Sequence, residues 1–230
     1  GPKFGPVDSR LLQDNQVESS GSSIYHGMTS TLKKRFSDFH QLQVAYTLSK
    51  SIDDTVDFIT DLQPANQLDL ANERSLSAFD QRHRLVVSGV FLTPFLNGFG
   101  VGRVLADITV SPILTVSSGR PFNLLLGFDA NGDTNANTDR PRDVGRNTGK
   151  GPSFTSMDLR VSKAFEIGDR YRIEALAEGF NLFNTVNFSN VNNVVGALQL
   201  PSYHVGGNRS LGPTEPLGFT SAHAPRQIQL

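Results

Sequence analysis

Oxygen-bearing side chains occupy alternate positions in one segment of the chain. The segment supplies Asp129, Asn131, Asp133, Asn135 and Asp139. Calcium takes about six to eight oxygen ligands, and the EF-hand and dockerin loops deliver them from alternate positions of one short segment. The spacing therefore indicates a candidate Ca²⁺ site, and Ca²⁺ is the one cofactor that the sequence suggests.

The match to a calcium loop is incomplete. Thr134 stands where the EF-hand needs glycine, and Arg140 stands where it needs a bidentate acid. Asp139 comes one residue too early for that role. An Asn- and Asp-rich loop held by its own side-chain-to-backbone hydrogen bonds explains the same residues. The sequence favours this second interpretation and leaves calcium open.

A second cluster of chemically active side chains opens a predicted strand. It consists of Asp80, Arg82, His83 and Arg84. Such a cluster could contact an anion or a substrate, with His83 as the group that titrates near neutral pH. The favoured alternative is that Arg82 and Arg84 lie on a polar strand face and pair with Asp80 or with acids on neighbouring strands.

Signatures of common enzymes are absent from the sequence. It contains no G-x-S-x-G, no H-E-x-x-H and no G-x-x-x-x-G-K-[ST] motif. The absence of cysteine excludes a disulfide scaffold, a thiolate zinc site and a cysteine nucleophile. We therefore expect a protein that is not an enzyme. A hydrolase that uses a Ser or a carboxylate with one of the five histidines stays as an alternative.

Composition narrows the fold class and the partners. The 21 basic and 22 acidic residues give a net charge of -1, which argues against a nucleic-acid partner. The chain is rich in Gly and Pro, only 37% hydrophobic and 19% charged, and carries 16 Phe. This is the composition of turns and strands rather than of helices or of a disordered chain. The sequence therefore predicts an all-β protein.

Two hairpins with alternating side chains are the clearest structural signal. The first joins residues 24–36 to 39–50 through Ser37 and Asp38, and its second strand carries Leu42, Val44, Tyr46 and Leu48 on one face and Gln41 and Gln43 on the other. The second hairpin gathers charges on one face, namely Asp158, Arg160, Arg172, Glu174 and Glu178. Such a face meets bulk water in a soluble sandwich and the lumen in a membrane barrel.

Short turns alternate with long connections along the chain. Residues 51–81, 119–153 and 184–225 are each far longer than an ordinary loop. This asymmetry is typical of outer-membrane barrels, whose periplasmic turns are short and whose extracellular loops are long. Two further strands are predicted at 83–95 and 104–118, where Pro112 predicts a bulge or an edge position.

Several sequence strings resemble one family. They are YHGM at 25–28, AYTLSKSIDD at 45–54, FDQRHR at 79–84, SGRPF at 118–122 and AEGFNLFN at 177–184, together with the segments 129–141 and 146–152. These strings resemble the C-terminal barrel portion of TonB-dependent outer-membrane transporters, in particular the Oar-like subgroup with a carboxypeptidase-regulatory-like N-terminal domain. The resemblance runs in order over nearly the whole chain.

The resemblance implies a 22-stranded barrel that is plugged by an N-terminal domain and imports a bulky ligand with energy from a periplasmic partner. This sequence contains about six strands and the start of a seventh, which are too few to close a barrel of that size. We therefore expect an antiparallel meander that is part of, or derived from, an outer-membrane barrel. Its predicted parts are an N-terminal extension (1–22), a hairpin (23–50), a long loop (51–81), two strands (82–118), an Asn/Asp-rich loop (119–153), a second hairpin (154–183), a long loop (184–225) and a truncated strand (226–230).

The expected function is ligand uptake by a non-catalytic receptor in the bacterial outer membrane. Predicted lumen or ligand residues are Asp80, Arg82, His83, Arg84, Arg160, Arg172, Glu174 and Glu178, with Gln41 and Gln43 on the same face. Expected partners are outer-membrane lipid or detergent and the remainder of the barrel or a second copy at the open strand edges, with the energy-transducing partner only in the full-length protein. The alternative is a soluble, secreted calcium-binding β-module for adhesion or carbohydrate contact.

Overall fold

A computed structural model describes residues 19–54, 64, 70–93, 106–132, 135–167, 170–196 and 217–230. The strands are β1 (Ser23–Ser37), β2 (His40–Asp53), β3 (Ser75–Leu76), β4 (His83–Leu92), β5 (Ile108–Ser117), β6 (Pro121–Phe122), β7 (Gly149–Lys150), β8 (Phe154–Ile167), β9 (Tyr171–Phe180), β10 (Phe188–Asn192), β11 (Gly218–Ala222) and β12 (Gln227–Gln229). A short 3-10 helix covers Leu70–Glu73. No helix in these ranges is long and apolar enough to cross a membrane.

One antiparallel sheet dominates the fold. Its strands follow the order β1-β2-β4-β5-β8-β9-β12, and β3 adds to β2 beyond the end of β4. Two small ribbons, β6-β7 and β10-β11, lie in the connections that follow β5 and β9. This arrangement confirms the predicted all-β antiparallel meander. The described sheet has two ends, β1 and β12, that do not pair with each other.

The strand register gives the sheet two unlike faces. One face carries mainly apolar side chains, for example the row Leu32, Val44, Val87, Leu114 and Met157 across five neighbouring strands. The other face carries mainly polar ones, among them Thr31, Gln43, Ser88, Thr115, Ser156, Arg160 and Glu178, with Val86 and Ile113 as exceptions. The alternation predicted for single strands therefore continues across the sheet.

No second layer covers the apolar face within the described ranges. Met28, Leu32 and Ile173 on that face are 59%, 70% and 54% exposed. The buried cluster of Leu124, Leu126, Val144 and Val195 lies in the connections instead of against the strands. Because a soluble sandwich would bury its apolar faces against each other, this exposure is what a barrel wall in contact with lipid requires.

The first hairpin turns one residue later than the sequence prediction. β1 extends through Ser37, and the two turn residues are Asp38 and Phe39, with φ angles of 49° and 65°. Two consecutive positive φ values are the mark of a type I′ turn, whose twist matches that of the strands. The predicted turn at Ser37 and Asp38 was therefore wrong by one position, because Ser37 pairs with His40 after a register shift that follows Lys34.

Pro112 lies in neither of the two predicted settings. It is in β5, a central strand, and it pairs with Leu159 of β8 without a register shift. On the other side, the pairing to β4 lapses between the pairs Ser88–Ile113 and Phe91–Val110 and then resumes in the same register. The missing N–H is thus accommodated by a local gap in one ladder. The prediction of an edge or a bulge was wrong.

The strands are staggered relative to one another. The backbone N–H of Leu92 donates to the carbonyl of Phe39 at the first turn, and Leu92 is level with Thr109 and Ser162 across the sheet. Beyond Ser162, β8 continues to Ile167 before it turns. Closing a sheet into a barrel requires such a stagger, because the strands must tilt relative to the barrel axis.

Candidate functional site

The charged residues of the second predicted hairpin share the polar face. Arg160 and Glu178 lie directly opposite each other on β8 and β9, with 3.6 Å between Nη1 and Oε1. Arg172 and Glu174 lie on the same face of β9, opposite Glu166 and Ala164 of β8. The structure therefore pairs the first two residues and places the other two nearer the short turn.

Asp80 is a fixed anchor at the loop end of the sheet. Its side chain is 5% exposed, and its Oδ1 accepts a hydrogen bond of 2.7 Å from the backbone N–H of Ser51. Its Oδ2 lies 3.3 Å from Nη2 of Arg82. Arg84 follows on the polar face, where it pairs with Thr47 and Ser117. Asp80 and Arg82 therefore join the start of β4 to the end of β2.

His83 does not share a face with its arginine neighbour in β4. Since side chains alternate along a strand, Arg84 on the polar face puts His83 on the apolar face, where it pairs with Leu48. Its Nδ1 lies 2.8 Å from the hydroxyl of Tyr46, and the two rings stack at 6.2 Å between centroids. His83 was predicted as a lumen or ligand residue together with Arg84, but the structure places the two on opposite faces of the sheet, because adjacent residues of a strand alternate between faces.

The oxygen-rich segment folds back on itself. Asp129, Asn131 and Asp139 line one open cavity of about 510 Å³. The Oδ2 of Asp139 accepts a hydrogen bond of 2.8 Å from the N–H of Ala130, which brings the two ends of the segment together. The cavity is completed by Leu126, Phe128, Ala130, Arg140 and Arg142.

Other side chains of this segment bind its own backbone. Asp129 accepts from the N–H of Gly132 at 2.6 Å, and Asn135 accepts from the N–H of Asn137 at 2.9 Å. Asp133 lies outside the described residues. Among the residues that are described, no three His, Cys, Asp or Glu side chains are grouped as they would be to hold a metal ion. The hydrogen bonds fit the self-supported loop, and Ca²⁺ binding stays a prediction.

Two arginines connect this same loop to β2 and to the connection that follows β2. Arg140 donates two hydrogen bonds to the carboxylate of Glu73, at 2.7 and 2.8 Å. Arg146 forms an ion pair with Asp53 and donates from Nε to the carbonyl of Glu73 at 2.8 Å. Asp53, Glu73 and Arg146 are at most 9% exposed. We call Asp53, Glu73, Arg140 and Arg146 the charged network.

The charged network could not be predicted from the sequence. Arg140 and Glu73 are 67 positions apart, and Arg146 and Asp53 are 93 apart. Both arginines lie in a loop, where no periodic pattern indicates which way a side chain points. A buried arginine in an extended loop requires an acid or a carbonyl as a partner, but this rule does not identify that partner.

The described parts of the three long connections pack into one layer, which we call the loop cap (70–82, 118–132, 135–153 and 181–196). The N–H groups of Leu125 and Val195 donate to the carbonyls of Asn193 and Leu125, both within 2.9 Å. The amide of Asn147 donates to the carbonyl of Leu76 at 2.7 Å. With the buried cluster of Leu124, Leu126, Val144 and Val195 at its centre, the cap has a core of its own.

Comparison with known families gives one match. The family model described as outer membrane beta barrel domain matches residues 9–145 and 142–229, which together make up almost the whole chain. No curated protein and no solved structure matches the chain. The match supports the barrel interpretation of the two-faced sheet and lends no support to a secreted module.

Proposed function

Since the chain belongs to the outer membrane beta barrel domain family, we propose that it supplies wall and extracellular loops to a ligand-uptake receptor of the TonB-dependent type. The apolar face contacts lipid, and the polar face lines the lumen. The loop cap lies on the extracellular side, because the long loops of these barrels are extracellular. The proposal assigns no catalytic residue.

The proposal rests on one observation: the sheet has an apolar and a polar face, and it carries the folded loop cap at one end. The polar wall holds charged side chains of both signs, such as Arg160 and Glu178. The connections after β2, β5 and β9 all leave the same end of the sheet and meet in the cap. A lumen that carries charges of both signs and lies below the loop cap is more typical of a receptor that selects a ligand than of a general pore.

The edges of the sheet indicate a partner. β1 is 15 residues long and pairs with β2 alone among the described residues. In a membrane, an unpaired strand edge costs several kcal/mol for each N–H or C=O group left without a hydrogen bond, on the order of 2–7 kcal/mol each. We therefore propose that further strands, from the rest of a larger barrel or from a second copy, complete the wall at this edge.

Flux through liposomes tests the uptake proposal. The full-length gene product is reconstituted into liposomes, and swelling is followed in arabinose and in raffinose. A receptor that opens only with energy input gives no swelling in either sugar. Faster swelling in arabinose than in raffinose would reveal a passive pore and contradict the proposal, with a porin and empty liposomes as the two controls.

Binding of an energy-transducing periplasmic partner tests the assignment to a receptor of the TonB-dependent type. The full-length protein is mixed with the purified periplasmic domain of that partner and treated with a cross-linker. We expect a one-to-one cross-linked product that disappears when unlabelled partner domain competes. Swelling data that exclude a pore, combined with no cross-link, would leave a closed barrel without TonB-type energy coupling and refute this assignment.

A further inference from the structure

Among the described residues, the loop cap contacts the polar face of the sheet at the end of β2. Asp53 of β2 and Ser75 of β3 lie directly opposite each other, and Asp53 has the same strand parity as Gln43 on the polar face. Both side chains contact one residue of the cap. Arg146 pairs with the Asp53 carboxylate, and the hydroxyl of Ser75 donates to the Arg146 carbonyl. The segment around Arg146 therefore lies over the polar face.

The contact is buried and electrically balanced. Glu73 is 1% exposed and Arg146 is 5% exposed. Two arginines face two acids, and the guanidinium of Arg140 meets Glu73 in a bidentate pair. Because buried pairs are screened little by dissolved salt, this contact does not loosen at high ionic strength as a surface ion pair does.

We propose that residues 135–147 form a lid over the luminal mouth and that the charged network is its lock. Arg146 ties the lid to the wall at Asp53, and Arg140 and Arg146 both tie it to the neighbouring connection at Glu73. The lid opens only if both arginines leave their partners together. This proposal requires the barrel wall but not TonB-type energy coupling, so it holds or fails independently of the uptake function.

A single cysteine under the lid tests the lock. The chain has no cysteine of its own, so a Ser75→Cys variant of the full-length protein in detergent reports the reach of a bulky, charged maleimide to the polar face beneath Arg146. We expect slow labelling with the native lock and at least tenfold faster labelling when Arg140→Met is added. The matched control is Arg142→Met, which removes a guanidinium that is 89% exposed on the same loop and is expected to leave labelling slow.

Heat-dependent migration on gels shows whether the barrel itself is folded in each variant. If Arg140→Met prevents folding, a double variant with the charges exchanged, Glu73→Arg with Arg140→Glu, is used instead. Slow labelling of the double variant, together with fast labelling of the Glu73→Arg and Arg140→Glu single variants, supports the lock. Fast labelling of Ser75→Cys with the native lock would overturn the lid. Equal labelling with and without Arg140→Met, in a folded barrel, would overturn the lock.

Discussion

Arg140 donates two nearly equal hydrogen bonds to Glu73, at 2.7 and 2.8 Å, between two different connections of the sheet. Both groups are almost removed from water, with 11% and 2% of their side chains exposed. Pairs of this geometry fix the orientation of both partners, since the planar guanidinium matches the two carboxylate oxygens. This pair fixes the position of the Asn/Asp-rich loop relative to the connection that follows β2.

Removing one member of the pair should loosen the cap without unfolding the wall. Glu73→Gln leaves the Arg140 charge buried without its counter-charge, and breaking a buried pair in this way costs about 3–5 kcal/mol. Hydrogen exchange at the amides of Leu126 and Val195, which are hydrogen-bonded inside the cap, measures the loss. We expect faster exchange there and unchanged exchange in β5 and β8. Equal acceleration in cap and strands would show that the pair stabilises the whole fold instead.

The assignment of the two faces predicts opposite outcomes for neighbouring residues. Leu114 lies between Val87 and Met157 on the apolar face, and Thr115 lies on the polar face. A lysine facing lipid near the bilayer centre costs about 2–4 kcal/mol, whereas one facing a lumen costs little. We therefore expect Leu114→Lys to reduce folding into lipid vesicles and Thr115→Lys to fold normally, as measured by heat-dependent migration on gels. The reverse order would invert the assigned faces.

The strands and their faces could be predicted from the sequence because period-two alternation is local. Val44 and Gln43 are neighbours in β2 and point to opposite faces, one apolar and one polar. A run of eight alternating residues is therefore enough to predict both the strand and the face of each side chain. The contacts of the cap could not be predicted, because Arg146 meets Asp53 through chain geometry that no short segment encodes. Proximity in sequence also failed to predict the position of His83. It is close to Asp80 and Arg82 in the sequence, but it does not lie on the polar face of the sheet.

The Arg160–Glu178 pair should contribute little to stability. Its guanidinium is 50% exposed and its atoms are 3.6 Å apart, and exposed pairs of this kind contribute about 0.2–1 kcal/mol. We expect a coupling energy in that range from a double-mutant cycle with Arg160→Ala and Glu178→Ala, and a smaller one in high salt. A coupling of several kcal/mol that is insensitive to salt would mean that the pair is enclosed in the assembled barrel.

Calcium binding by the oxygen-rich segment has a direct thermal test. A ligand that binds only the folded state at a hundred times its Kd stabilises by about 2.7 kcal/mol. If the segment binds Ca²⁺, the midpoint of unfolding rises on addition of Ca²⁺ over a chelator and the rise is lost in Asp139→Asn. Asp143→Asn is the matched control, because Asp143 is an exposed acid just beyond the segment. A midpoint that Ca²⁺ does not move would leave Asp129 and Asp139 with the structural role that their hydrogen bonds show.

The first hairpin turn contains a correctable strain. Phe39 has a φ angle of 65°, a conformation that side chains other than Gly, Asn and Asp adopt at a cost. Type I′ turns favour Asp followed by Gly, and Asp38 is already in place. We expect Phe39→Gly to raise the free energy of unfolding by about 1 kcal/mol, because the relief of strain exceeds the loss of a side chain that is 49% exposed. Leu32→Gly is the control, since Leu32 is paired with Val44 inside β1, and it should lower the same free energy in urea titrations of the barrel in lipid.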